Sequence, residues 1–210
     1  MKYLHTVLFR MCGIIVRKDF TGDMDRFLIA GLGNPGIRYR KTRHNMGFMA
    51  LDYVSEKFSI KVKKLKCRAL TGEVNIDGVK IILAKPQTYM NASGESIRDL
   101  LKFYNMTTDN LIIIYDDMDI PLGKVRIRKK GGSGTHNGMK SVLYHLETED
   151  FVRLRIGIST NDNEDTIRYV LSRFTKDQRK AAFLGIENAA LASIEIVKNG
   201  IDAAMNKYNK

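Results

Sequence analysis

Leu111-Ile112-Ile113-Ile114-Tyr115-Asp116-Asp117 is the stretch on which the reading of the fold turns. Its first five residues are apolar or aromatic without alternation, and two carboxylates follow. A strand can be apolar at every position only where both of its faces are covered, as in the middle of a parallel sheet with helices on either side. Upstream, Ile97, Leu100, Leu101 and Tyr104 recur at helical spacing after Asn91-Ala92-Ser93. Before that helix, Lys85-Pro86-Gln87-Thr88 breaks a strand over 79–84. That strand pairs with 70–76 through Asp77-Gly78, a hairpin signal. Further upstream, the short apolar run 27–30 reads as another buried strand. It is followed by a loop over 31–43 and a helix with Met46, Met49, Ala50, Tyr53 and Val54 on one face, for which Thr42 is a candidate cap.

Downstream, Pro121 begins a turn and 124–130 alternates as a strand. A Gly-rich loop (Gly131-Gly-Ser-Gly-Thr-His-Asn-Gly138) then leads into a helix through Met139, Val142, Leu143 and Leu146. A strand over 152–159, a helix near 165–174 and a last long helix opened by a Thr175-x-x-Gln178 capping box complete the chain. Strands and helices are interspersed and one hairpin is present. The expected class is therefore α/β: a single domain over 24–210, with a mixed, mostly parallel twisted sheet flanked by helices.

The 210 residues carry 35 Lys and Arg against 23 Asp and Glu, a formal charge of +12 that favours a polyanionic partner. No apolar run reaches the ~18–20 residues that span a bilayer, so no membrane role is expected. The two cysteines, Cys12 and Cys67, form no C-x-x-C pair and no metal spacing, which fits a reducing cytoplasm. In residues 1–23, His5, Arg10 and Arg17 interrupt the apolar stretches, and the segment lacks the unbroken centre of a signal peptide. We expect 1–23 to be an extension outside the fold, with Met24 just before the first strand. The segment holds four cations and two acids, so the remainder still carries +10.

Gly31-Leu-Gly33-Asn34-Pro35-Gly36 follows the first strand with the spacing of a dinucleotide fingerprint, but Pro35 and the polar run after it delay the helix that would receive a pyrophosphate. The glycines then read as a tight bend at a strand's carboxyl end, where ligands gather in open α/β sheets. Arg43-His44-Asn45 puts an imidazole at that rim, with an ordinary pKa near ~6.5 suited to general-base work. Asp116, at the end of the central strand, is the candidate to orient it; an acid there serves equally well as a helix cap. Asn34, Asn45, Asn91 and Asn137 stand at punctuated places. They read either as turn residues or as amide groups lining a cleft. Tyr89 and Met90 read as a cleft wall or as core.

Lys124, Arg126, Arg128 and Lys130 fall on one face of a strand at period two, and Arg153 and Arg155 share a face of a later one. Either these are solvated faces or they track phosphates, with the glycines of 131–134 letting backbone amides approach. No G-x-S-x-G elbow and no metal-ligand spacing occur. A hydrolysis using His-activated water, without cofactor or metal, is the most economical chemistry left.

The segments 31–48, 85–94, 115–141 and 153–158, in that order, resemble bacterial peptidyl-tRNA hydrolases. The resemblance runs from about residue 27 to the carboxyl end. It implies cleavage of the ester joining a peptide to the 3′ end of tRNA by a cytoplasmic, usually monomeric enzyme. It also implies that His44 and Asp116 are catalytic, that Asn34, Tyr39, Met90, Asn91 and Asn137 bind substrate, and that Arg126, Arg128 and Arg155 contact tRNA. His136 matches a loop histidine of the family, and Thr135 replaces a frequent glycine. The alternative from another class is a noncatalytic RNA-binding module on the same basic face.

Overall fold

The computed structural model describes residues 26–159 and 166–209. The expected extension over 1–23, Met24, Cys12 and Asp165 lie outside these. Strand β1 (Arg26–Gly31) is followed by a single 3-10 turn (Arg43–Asn45) and helix α1 (Met46–Lys57). Next come β2 (Lys64–Lys66), β3 (Ala69–Ile76), β4 (Val79–Pro86), α2 (Ser93–Tyr104) and β5 (Leu111–Pro121). The chain continues through β6 (Val125–Lys130), α3 (Asn137–Leu146), β7 (Asp150–Ser159), α4 (Thr166–Leu171), α5 (Gln178–Asn199) and α6 (Ile201–Tyr208). The seven strands form one sheet in the order β2-β3-β4-β1-β5-β7-β6. The central four are mutually parallel, and β2, β3 and β6 attach antiparallel at the margins.

The central strand explains the two layers. Ile112 and Ile114 point into a core shared with α1, α5 and α6; Leu111, Ile113 and Tyr115 point into a second core shared with α2 and α3. All four aliphatic side chains are fully buried, each worth about 1.5–3 kcal/mol relative to exposure. The hairpin turns where its signal lies, with Asp77 and Gly78 at φ 52° and 85°, the left-handed pair that a two-residue turn requires. Helix α1 reaches β1 through two glycines: a Cβ on Gly31 would sit 2.3 Å from the carbonyl oxygen of Gly47. The glycine fingerprint thus serves close helix–strand packing, and no helix begins until residue 43. Both sheet margins are protected. The outer strand β2 is short and lysine-flanked, and Asn209 pairs with both backbone groups of Ile127 on β6 (2.7 and 3.2 Å).

Three expectations about local structure need correction. The Thr42 side chain does not cap α1; its Oγ1 donates to the Tyr39 carbonyl, and the 3-10 turn intervenes before the helix. The central strand does not end at its acids but runs on to Pro121, because residues beyond Asp116 continue to pair with β7 across a register shift. The last helix breaks at Gly200 (φ 85°), which separates α5 from α6. Of the capping box, the half in which Gln178 Oε1 accepts from the Thr175 backbone N–H is present (3.2 Å).

Candidate active site

The chain leaves β1 and returns on one side as β4 and on the other as β5, so strand order switches at the carboxyl end of β1. That is where an open α/β sheet offers a crevice. Leu32 N–H still donates to Ile114 O (2.9 Å), which carries the bend alongside β5. Asn45 fixes the bend by taking the Asn34 backbone at both ends, N–H to Oδ1 and Nδ2 to O, each 2.9 Å. The next residue back, His44, is thereby held over the end of β5.

His44 Nδ1 lies 2.9 and 3.1 Å from the two oxygens of Asp116, which is 1% exposed. His136 adds a second imidazole, with Nε2 3.3 Å from the same carboxylate. The tautomers follow from one backbone bond. As the cap of α3, His136 Nδ1 accepts from Met139 N–H (3.1 Å), so its proton is on Nε2 and goes to Asp116. Asp116, an acceptor only, also draws the Nδ1 proton of His44, leaving His44 Nε2 with a lone pair. Burial pushes the His44 pKa down, but the Asp116 carboxylate, by charge and hydrogen bond, outweighs it, and the net direction is up. Burial opposes ionisation of Asp116 too, and the two histidines together hold it below the carboxylate range.

A cleft of about 640 Å³ opens over this pair. Asn34, Met90, Asn91 and Asn137 line it together with His44 and Asp116. Asn34 is buried, and its Oδ1 accepts from Met90 N–H (2.8 Å), which fixes the orientation of its amide; Asn91 and Asn137 are exposed. Tyr39 does not line the cleft. It stands at the lip, edge-on to Tyr89 with ring centroids 6.5 Å apart. Tyr89 is a lining residue held at φ 59°, an uncommon conformation for a bulky side chain. The opposite wall is apolar and comes from α4, through Ile167, Val170 and Leu171.

The cationic wall is more differentiated than period two suggests. Arg126 faces Arg155, and Arg128 faces Arg153, across the β6–β7 ladder, so all four share one side of the sheet. Arg128 and Lys130 are exposed at the cleft, whereas Arg126 is half-buried outside its lining. Arg155 is engaged by Asp117 at 2.5 Å. Arg153 departs from the surface reading: it is 1% exposed, and its two Nη atoms hold the carbonyls of Gly132 and Glu149 (2.8 and 3.0 Å) beneath the Gly-rich loop. The register shift after Arg128 also removes Lys130 from the strict alternation.

His44, Asp116 and His136 present ligand atoms within 4.8 Å of one another, as a metal site would. The hydrogen bonding argues against that use. With Nδ1 of His136 accepting from Met139, a cation on Nε2 would require an imidazolate. The arrangement fits protons better than a metal. Sequence reasoning missed the α4 wall, Tyr89's backbone and the bond from His136 to Asp116. For the last a signal existed: His136 stands just before an α3 start, where capping residues are expected.

Fold and site together define a class: an α/β protein with a carboxylate-oriented imidazole at the switch point of its sheet, in an amide-lined cleft beside cationic ground. The chain matches the family model described as peptidyl-tRNA hydrolase over residues 28–210, and it belongs to that family. It is 50% identical over 183 residues to the peptidyl-tRNA hydrolase of Caldanaerobacter subterraneus subsp. tengcongensis, covering 87% of this chain and 99% of that one. It is 51% identical over 183 residues to that of Alkaliphilus metalliredigens, again 87% and 99%. Among solved structures, the peptidyl-tRNA hydrolase of Acinetobacter baumannii superposes with a TM-score of 0.82 at 34% identity, covering 89% of this chain and 95% of that one.

Proposed function

We propose that this chain hydrolyses the ester between a peptide, or an N-blocked amino acid, and the 3′-terminal ribose of tRNA. The observation that carries the reading is the His44–Asp116 pair in the cleft of a chain of this family. His44 Nε2 takes a proton from a water molecule, whose oxygen attacks the ester carbonyl. Asp116 stabilises the imidazolium that forms. The amide of Asn91 and backbone N–H groups near it stabilise the oxyanion. As the tetrahedral intermediate collapses, the carbonyl–ribose oxygen bond breaks and the imidazolium returns its proton to the ribose oxygen. The products are a free peptide carboxyl group and an intact tRNA.

Asn34, through its NH₂ group, and Asn137 hold the peptide, with Met90 and Tyr39 completing its surroundings. Arg126 and Arg128, with Arg155 behind them, take the phosphates of the acceptor stem. The enzyme works as a monomer in the cytoplasm and uses no cofactor. No helix among the described residues is long and apolar enough to cross a membrane. The test is incubation of the purified protein with N-acetyl-aminoacyl-tRNA and, separately, with the unblocked form. Release of the blocked amino acid supports the reading. Retention of intact N-acetyl-aminoacyl-tRNA in a stable complex would sink it in favour of the noncatalytic RNA-binding alternative.

A further inference from the structure

Helix α4 is six residues long, too short to hold itself in water, yet it carries one whole wall of the cleft. Two of its lining side chains, Ile167 and Leu171, are 67% and 38% exposed. Something other than burial of those side chains must keep them in place. Tyr169 contributes from the inward face, buried and donating its hydroxyl to Ile158 O at 2.5 Å. Val170 packs against the core shared with α1 and α5. A further polar fastening comes from Arg43, the neighbour of His44.

Arg43 is 4% exposed and has no carboxylate within ion-pair distance among the described residues. Its Nη1 donates to Ser172 Oγ (2.5 Å) and Arg173 O (2.7 Å), and its Nη2 to Gln178 Oε1 (2.7 Å). The guanidinium lies between the rings of Tyr169 and Phe174, 4.3 and 4.9 Å from their centroids. Its backbone N–H donates to Ser172 O (3.0 Å), and Thr42 forms a bridge with Arg173. A buried cation served only by neutral acceptors and π faces is a costly way to gain stability. It is, however, a rigid fork that fixes three separate acceptors and two rings at once, which a lysine cannot do.

We infer that Arg43 is a positioning residue: it fastens the end of α4 to the turn that bears His44, and so fixes the apolar wall at the distance where it receives an apolar side chain of the peptide. This rests on the cleft being the peptide site. The wall's helix packs with the α1 and α5 core, whereas Met90 beside Asn91 and the α3 residues after Asn137 pack with the α2 and α3 core. Wall and asparagines thus belong to different sides of the sheet, and the wall's effect should depend on the side chain presented. The protonation of His44 is set by Asp116, on another element, and should not depend on Arg43.

The experiment compares parent, Arg43→Lys and Arg43→Met on one tRNA charged with N-acetylleucine or N-acetylglycine, at a temperature where circular dichroism shows each variant folded. The expected result is a fall of about tenfold or more in kcat/KM for the leucyl ester, mainly through KM. The glycyl ester should change by less than about threefold, and the acid limb of the pH profile should stay in place. Equal losses on both esters, or no loss on the leucyl ester, would overturn the inference. Should neither variant fold, Gln178→Ala removes one acceptor and leaves the guanidinium in place. Its loss should be smaller and still confined to the leucyl ester, and an equal loss on both would again refute the inference. A parent protein that cleaves neither ester would instead remove the functional reading beneath it.

Discussion

Asp116→Asn separates the roles of charge and geometry in the site, because two histidines compete for what the amide can offer. In the native site two N–H donors converge on one carboxylate: His44 Nδ1 at 2.9 and 3.1 Å and His136 Nε2 at 3.3 Å. An asparagine supplies a single acceptor oxygen, and His136 reaches only the Oδ1 position whereas His44 lies nearer to Oδ2. His136 cannot change tautomer while its Nδ1 accepts from Met139 N–H, so the amide oxygen goes to His136. The amide NH₂ then faces His44 Nδ1, which must become the acceptor and shift its proton to Nε2, the atom that should receive a proton from water. The variant is thus expected to lose the general base outright, with a fall of about 10²–10⁴ in kcat/KM. That is about 2.7–5.4 kcal/mol of transition-state stabilisation. The assay is release of N-acetylated amino acid from tRNA across pH 5–9. Removing His136 as well frees the amide oxygen for His44 Nδ1–H, so Asp116→Asn combined with His136→Ala should be more active than Asp116→Asn alone. A double variant that is weaker than the single one, or a single variant at the parent rate, would refute the tautomer argument.

His44→Ala should lower kcat by about 10²–10⁴ while tRNA binding, followed by filter retention, stays close to the parent value. The acid limb of kcat/KM in the parent should lie above the ordinary histidine value of about 6.5, because His44 must be neutral to act and the net shift of its pKa is upward. The same shift means that its pairing with Asp116 stabilises the fold fully below about pH 6.5, and that this contribution fades as pH rises through the raised value; urea midpoints at pH 6 and pH 9, compared between parent and His44→Ala, measure it. Charge reversal at Arg126 and Arg128 should weaken tRNA binding and reduce the salt slope by about 0.7–0.9 for each phosphate that is no longer neutralised, and an unchanged slope would remove the basic strand from the interface. Gly94→Ala should destabilise by about 1–3 kcal/mol in urea titration, since its Cβ would stand 2.1 Å from Ser141 O at the crossing of α2 and α3.

What the sequence revealed and what it concealed divide along a physical line. Periodicity reports which sides of an element are covered, so the unbroken 111–115 run located the central strand and its two cores correctly. Parallel neighbours end at a common rim. Gly31 stands in register with Ile114, and this brings His44 and Asp116 together although 72 residues separate them. Periodicity does not report what covers a side. Arg153 and Arg155 occupy equivalent positions in the alternation, yet one is sealed beneath the Gly-rich loop and the other is held at the cleft by Asp117. That difference is made by a loop folding back from the sheet margin, and no local pattern encodes it. The α4 wall was hidden for a related reason: a six-residue helix has too few turns to show a face, and its placement depends on an arginine more than 120 residues earlier. The proton that matters most lies deepest in this hierarchy. Its position on His44 follows from a carboxylate on a different strand, whose acceptor capacity is shared with a loop histidine. That histidine's tautomer is in turn fixed by the backbone N–H of Met139. Residue types named the participants; only the assembled hydrogen bonds decide which nitrogen of His44 keeps a lone pair.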